Sequence, residues 1–209
     1  MRILVYGDSN TWGQVPDING YCKDAIAKQY DKKDLWWFPL TKDNDVVVNG
    51  VPGRAIANDN PWLEGRNAST TIEQDILGLS PELVIVGLGT NDCKNRYNLS
   101  AQDIADKLEI LISFIAEQTG AKIMIVSPPT IKEGNKITDK FYVGGEKKSQ
   151  ELNKTYLSLA KKNKYLFVSG TDLEVGEDGE HLTKRSHHRL GERVMAELER
   201  TLTNQNQKI

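Results

Sequence analysis

Ile3-Leu-Val-Tyr6 runs straight into Gly7-Asp8-Ser9-Asn10, and this junction decides the fold. The run is short, apolar and rich in β-branched or aromatic residues. It lacks the apolar–polar alternation of a strand with one wet face. Four more runs repeat the pattern: Val46-Val-Val48, Leu83-Val-Ile-Val86, Ile123-Met-Ile-Val126 and Tyr165-Leu-Phe-Val168. Such segments are strands buried on both faces, as in a parallel sheet covered by helices. Helical patterns lie between them. From Ser100 to Thr119, Ile104, Leu108, Leu111, Ile112 and Ile115 share one face; Ser100 and Asp103 are spaced to cap its start, and Gly120 suits its end. A second helix is expected over about residues 146–162, with Leu152, Tyr156 and Leu159 on one stripe. A third runs from Lys184 to the C-terminus through Leu190, Val194 and Leu198, with the tail Asn204-Gln-Asn-Gln-Lys208 frayed. Strand and helix alternate throughout, which predicts a single α/β domain over residues 1–209. The segment Asp34 to Asp45, with Pro39 inside it, is too short for a full helix and predicts a single turn.

Composition narrows the function classes. Of 209 residues, 38% are apolar and 27% charged, the balance of a globular chain with a core of its own. The 27 Lys and Arg nearly cancel 29 Asp and Glu, so no field of one sign favours nucleic acid or an anionic membrane. The first apolar run is too short for a secretory leader, and no stretch approaches the ~20 apolar residues of a membrane span. Two cysteines, Cys22 and Cys93, fall in no metal-ligand spacing and read as reduced thiols, which predicts a cytoplasmic protein.

The connections are asymmetric. Loops entering strands are short, whereas those leaving them are long and rich in Gly, Asn, Asp and Trp: residues 7–20, 49–67, 89–98, 128–145 and 170–183. Parallel sheets bind ligands outside the carboxyl ends of their strands, so the irregular polar material collects where a site belongs. Ordinary surface loops account for the same pattern without a function.

Few residues in these loops carry chemistry. His181, His187 and His188 are poorly spaced for zinc, and His187 and His188 read as a solvated helix face beside Lys184, Arg185 and Arg189. The runs Lys147-Lys148 and Lys161-Lys162 read likewise as solvated faces. Asp178-Gly-Glu-His181 precedes the last helix, and an Asp three residues before a His can curl back onto imidazole Nδ1 and leave Nε2 as a base. Ser9 follows the first strand, at the first turn of a helix where its hydroxyl faces the sheet edge; alone, such a serine reads first as a helix N-cap. There is no G-x-S-x-G elbow, no G-x-G-x-x-G and no G-x-x-x-x-G-K-[ST], which removes α/β-hydrolase, dinucleotide and P-loop readings.

Two further segments complete a pattern: Asn49-Gly-Val-Pro-Gly53-Arg54 after the second strand and Gly87-Leu-Gly-Thr-Asn91-Asp92 after the third. With Gly7-Asp8-Ser9 and Asp178-x-x-His181, in this order, they resemble the four sequence blocks of the GDSL or SGNH hydrolases. The resemblance spans Arg2 to about Leu198 and is closest to the bacterial arylesterase and acyltransferase branch, through Gly7-Asp-Ser-Asn-Thr-Trp-Gly13, Leu88-Gly-Thr-Asn-Asp92, Val126-Ser-Pro-Pro129 and Gly144-Gly-Glu-Lys147. It implies a three-layer α/β/α, flavodoxin-like fold with a five-stranded parallel sheet. It implies Ser9 as nucleophile, His181 as general base and acid, and Asp178 as orienting carboxylate. The oxyanion hole would be the Ser9 N–H, the Gly53 N–H and the Asn91 side-chain amide. Gly53 as a turn glycine and Asn91 as a turn former are the structural alternatives.

The resemblance implies a short-acyl esterase or acyltransferase acting on a small-molecule ester. It implies no metal, no organic cofactor, no nucleic acid and no membrane partner, and a homo-oligomer. Rivals on the same fold are a carbohydrate O-acetylesterase and a lysophospholipase or thioesterase; a rival of another class is a non-catalytic binding module. Asn10 departs from the Leu or Ile of the wider family, which puts packing beneath the nucleophile at issue. Arg54 and Asp92 are assigned loop hydrogen bonds and an ion pair, and Trp12 and Trp62 the pocket wall, a core or interface role being open for both tryptophans.

Overall fold

A computed structural model of the chain describes residues 1–20 and 26–206. Cys22 and residues 207–209 of the tail lie outside the described residues. Five parallel strands form one sheet: β1 (Arg2–Gly7), β2 (Asp45–Gly50), β3 (Leu83–Gly87), β4 (Lys122–Val126) and β5 (Leu166–Val168), in the order β2-β1-β3-β4-β5. Register holds to the strand ends: Gly7 pairs with Gly50 on one side and with Gly87 on the other.

Successive residues of each run enter different cores. Leu4, Tyr6, Val84, Val86, Ile123 and Ile125 pack on one face with α2 (Ala68–Ile76), α3 (Ala101–Thr119) and α5 (Gly145–Asn163). Ile3, Val5, Leu83, Ile85, Met124 and Val126 pack on the other with Trp36, Trp37, Leu40 and α6 (Lys184–Asn206). The result is the expected three-layer α/β/α fold. Each such side chain contributes about 1.5–3 kcal/mol relative to leaving it exposed, which is why these strands carry no polar alternation. The expectation of burial on both faces fails at the sheet edges: β2 is half-buried beyond exposed Asp45, and Leu166 and Phe167 of β5 are half-buried, because an edge strand has a neighbour on one side only.

The cap of α3 matches its sequence: Ser100 Oγ accepts from Asp103 N–H at 3.1 Å, Asp103 Oδ2 accepts from Ser100 N–H at 2.8 Å, and Gly120 closes the helix with φ of 67°. Helix α6 runs through Asn206, so the start of the expected frayed tail is helical. Helix α2 escapes sequence reading because Ser69, Thr70 and Thr71 are weak helix formers. The Asn67 side chain caps it at 3.1 Å on Ser69 N–H, and Ala68, Ile72 and Ile76 supply its buried stripe. The segment Asp34 to Asp45 makes the expected single turn, a 3₁₀ turn at Phe38–Lys42 with Pro39 inside it, and a second 3₁₀ turn, Lys32–Asp34, precedes it. Among the described residues no helix is long and apolar enough to cross a membrane.

Candidate active site

The site forms where the strand order reverses, between the carboxyl ends of β1 and β3. Beyond Gly7 the chain turns into α1 (Ser9–Trp12). Asp8, not Ser9, is the N-cap, accepting from Asn10 N–H at 2.9 Å; Ser9 is therefore not the cap, and its hydroxyl bonds elsewhere. So short a helix leaves its carbonyls open. Two indoles close them: Trp36 Nε1 donates to Asn10 O at 3.2 Å and Trp37 Nε1 to Thr11 O at 2.9 Å. The irregular segment before β2 thus clamps the turn that carries Ser9.

The opposite wall is the turn before α6. Gly179 has φ of +79°, and a Cβ there would stand 2.4 Å from Lys132 O, so the turn requires glycine. It folds Asp178 back under His181: Oδ1 accepts from Glu180 N–H and His181 N–H, both at 3.1 Å, and Oδ2 meets His181 Nδ1 at 2.8 Å and accepts from Asp17 N–H at 3.0 Å. His181 Nε2 lies 2.8 Å from Ser9 Oγ. With the Nδ1 proton held by the carboxylate, Nε2 is left to accept from the serine hydroxyl. Burial pushes the His181 imidazole down, but Glu180, Asp178 and Asp8 together outweigh it and hold it above its ordinary value. Burial pushes the Asp178 carboxyl up, but the bond from His181 and the two backbone donors hold it below the usual carboxylate range.

Asn10 has a part that sequence reasoning did not assign. Its buried side chain donates to Glu180 O at 3.2 Å and accepts from Leu182 N–H at 2.9 Å, gripping the backbone on both sides of His181. The expected disturbance beneath Ser9 is replaced by a tie between the two walls. A polar side chain directly after Ser9, in a turn that leaves the sheet, was the signal.

Gly53, with φ of +80°, and Asn91 line the same cavity as Ser9 and His181. Gly53 also serves its structural alternative, since Arg54 N–H closes a turn onto Val51 O at 3.1 Å. Asn91 Oδ1 accepts from Lys94 Nζ at 2.7 Å and Nδ2 donates to Arg54 O at 3.1 Å, which fixes the amide and leaves one of its hydrogens unused by these bonds. Lys94 is only 4% exposed and was missed from sequence, as was Glu180, whose carboxylate accepts from Tyr142 Oη. Arg54 and Asp92 make the expected loop hydrogen bonds, and Arg54 also makes an ion pair, with Asp75. Arg54 bonds Gly7 O, Asn49 and Asp75, while Asp92 accepts from Ile56 N–H and Asn58 Nδ2.

The cavity holds about 780 Å³ and is walled by Pro52, Trp62, Leu63 and Phe141. Trp62 takes the expected wall position; Trp12 does not, because it ends α1 half-buried and away from the lining. The solvated face expected at His187 is also corrected. His188 is exposed and bonds Asp34 at 3.2 Å, but His187 is fully buried because it shares the α6 stripe with Leu190 and Val194. Lys147, Lys161 and Lys162 are exposed as expected, whereas Lys148 is half-buried, its Nζ donating to Cys93 O at 3.4 Å. Among the described residues no group of three or more His, Cys, Asp or Glu side chains is arranged to hold a metal ion.

Residues 5–190 match the model of the GDSL-like lipase/acylhydrolase family. In structure the chain is similar to an aryl esterase of M. smegmatis, at TM-score 0.85 and 28% identity over 96% of this chain and 99% of that one. It is similar to a carbohydrate acetylesterase from Sinorhizobium meliloti at TM-score 0.84 and 26% identity, over 96% and 99%. A lipase/acylhydrolase from Enterococcus faecalis, at 18% identity and TM-score 0.70 over 94% of both chains, shares the fold. None of the curated proteins compared matches the chain in sequence. Every residue of the hydrogen-bonded series from Asp178 to Ser9 falls inside the matched span, and the chain belongs to the GDSL-like lipase/acylhydrolase family, a hydrolase acting on esters.

Proposed function

We propose that the chain is a serine esterase that cleaves short-acyl esters of small alcohols and passes the acyl group to water or to another small alcohol. The observation that carries this reading is the unbroken series Asp178–His181–Ser9, with both side-chain contacts at 2.8 Å, opening onto a cavity of about 780 Å³.

Ser9 Oγ attacks the ester carbonyl carbon while His181 Nε2 takes the hydroxyl proton; Asp178 stabilises the imidazolium that results. Charge moves to the carbonyl oxygen, which the Ser9 N–H, the Gly53 N–H and the remaining Asn91 amide hydrogen receive. Each such preorganised donor is worth about 2.7–4 kcal/mol. The Lys94 ammonium on Asn91 Oδ1 polarises that amide in the right sense. His181 then returns the proton to the departing alkoxide, the carbon–oxygen bond breaks and acyl-Ser9 remains. Water or a small alcohol, deprotonated by His181, attacks the acyl carbon, and Ser9 leaves with the proton.

An acetylated carbohydrate is the second reading. Trp62, 70% exposed at the rim, presents an aromatic surface of the kind sugars stack on, and a carbohydrate acetylesterase is among the similar structures. A chain-length series of p-nitrophenyl esters, with and without a primary alcohol, tests the main reading. Activity should peak between acetyl and butyryl, and alcoholysis should be measurable. Each buried methylene is worth ~0.8 kcal/mol, so a steady climb to octanoate overturns the short-acyl assignment. A peak at acetate without alcoholysis removes acyl transfer alone, and acetylated sugars cleaved faster than aryl acetates favour the second reading.

A further inference from the structure

The floor of the cavity accounts for the chemistry, but the charge at its mouth takes no part in it. Arg96 stands between two rings, its guanidinium carbon 4.8 Å from the Trp62 centroid and 4.6 Å from that of Tyr97, and Nη2 donates to Tyr97 Oη at 2.7 Å. The two ring contacts and the Tyr97 bond hold the guanidinium in place in advance, so a ligand meets a positioned cation with Nη1 unbonded among the described residues rather than a flexible chain. Its Nε is enclosed and bonds to no group of the protein among the described residues. Lys140, exposed on α4 (Thr138–Phe141) in the loop after β4, lines the same cavity.

Among the described residues neither cation forms an ion pair, and no Asp or Glu lines the cavity. Asp59, on the loop that supplies Trp62, is turned to Asn67 Nδ2 at 3.0 Å. The chain has 29 acidic residues against 27 basic ones, so the mouth is cationic by placement and not by composition. Two like charges facing one recess repel each other and are relieved by an anion between them.

Resting on the serine-esterase reading above, we infer that the ester taken by this enzyme carries a carboxylate, received by Arg96 and Lys140 at the mouth while Ser9 meets the ester carbonyl at the floor. The planar guanidinium suits a planar carboxylate, and the Lys140 ammonium adds a movable second contact. Ester and carboxylate then hold the substrate at two points, which orients the carbonyl toward Ser9.

The test uses the full chain and matched ester pairs: an aryl butyrate against the aryl hemisuccinate, with the carboxylate on the acyl side, and phenyl acetate against 4-carboxyphenyl acetate, with it on the alcohol side. Rates are normalised to those with hydroxide. One carboxylate-bearing ester is expected to exceed its neutral match about tenfold in kcat/KM, through KM. The excess should shrink in salt of about 1 M, where charges are screened beyond ~3 Å. Arg96→Gln and Lys140→Gln should each lower the rate on that ester far more than on its neutral match; the exposed Lys140 variant removes any doubt about folding. Equal kcat/KM within both pairs, or equal losses on charged and neutral esters, overturns the inference and leaves the esterase standing. Failure to cleave any ester, with no labelling of Ser9 by a fluorophosphonate, overturns the esterase reading and this inference with it.

Discussion

His181, in the turn before α6, and His187, in its first turns, are almost equally buried, at 2% and 0% exposure, yet their protons behave oppositely. The turn surrounds His181 with acceptors: Asp178 on Nδ1, with Glu180 and Asp8 close by, and the imidazole is held above its ordinary value although burial alone would lower it. His187 packs on an apolar stripe and the ring of Tyr30, with ring centroids 5.5 Å apart; Asp34 acts on it only at a distance, and neither ring nitrogen has a hydrogen-bond partner among the described residues. Burial, with His181 and His188 nearby, pushes His187 down to about 3. Basicity at depth is therefore made by partners. A turn supplies them because its side chains and free N–H groups converge on one carboxylate; a helix interior has already used its backbone groups on itself.

The largest break in this contrast comes from removing the groups proposed to react. Ser9→Ala, His181→Ala and the double variant should each lose about 10⁴-fold or more in kcat, and by similar amounts, since nucleophile and base act as one unit. Ser9→Ala retaining comparable activity would falsify the assignment. Asp178→Asn should lose up to about 10⁴-fold, through the wrong imidazole tautomer. In the wild type, kcat/KM should rise with pH through one ionisation lying above 6.5, because His181 must be neutral to accept the Ser9 proton and its environment favours the charged form. Without the Asp178 charge that limb should move to lower pH; a pH–rate profile of the residual activity reads this directly.

A smaller effect tests how the turn is held. Asn10→Leu removes both bonds that grip the backbone around His181 and leaves the Glu180 carbonyl and Leu182 N–H buried, each unmet group costing about 1–3 kcal/mol. A fall of roughly tenfold in kcat with KM nearly unchanged is expected, as misplacement of the base harms the transition state more than binding. Steady-state kinetics showing an unchanged kcat, in a protein of unchanged melting temperature, would make Asn10 incidental.

The contrast also marks how far the sequence could be read. The sheet, α3, α5 and α6 were legible because burial on both faces removes polar residues from the strands and helix stripes repeat at a fixed period. That Ser9, Asp178 and His181 meet was legible because each follows a strand in a block with its own spacing. The details that make them a site were not. Trp36 and Trp37 satisfy carbonyls of α1 from a segment with no regular period, and Lys94 fixes Asn91 from inside a turn, where no repeat announces burial. His187 was misjudged because its neighbours Lys184, Arg185, His188 and Arg189 are charged or polar, whereas its own position falls on the Leu190–Val194 stripe. Local composition misled there, and the helical period was the better guide.

His187 sharpens the comparison from the quiet side, where the expected effect on catalysis is the smallest. His187→Phe keeps an aromatic ring against Tyr30 and removes two ring nitrogens that have no hydrogen-bond partner among the described residues, so kcat/KM at pH 7 should stay close to the wild type. Stability should change, and its sign follows from linkage. Unfolded, the histidine takes up a proton as pH falls through its ordinary 6.5; folded, it stays neutral down to about 3. Its contribution is thus fully present above 6.5 and is lost as pH falls toward 3, at about 1.4 kcal/mol per pH unit once the unfolded side chain is charged. Asp8 and Asp92 act the other way, since burial raises both carboxyls to about 6 and the folded state gains protons as pH falls through that value. The wild-type curve therefore mixes opposing slopes, and the difference between wild type and variant isolates His187. Urea midpoints at pH 7 and pH 4.5 should show the variant gaining on the wild type in acid. Parallel pH dependence in the two proteins would mean that His187 is protonated inside the fold, and that burial without partners does not separate it from His181.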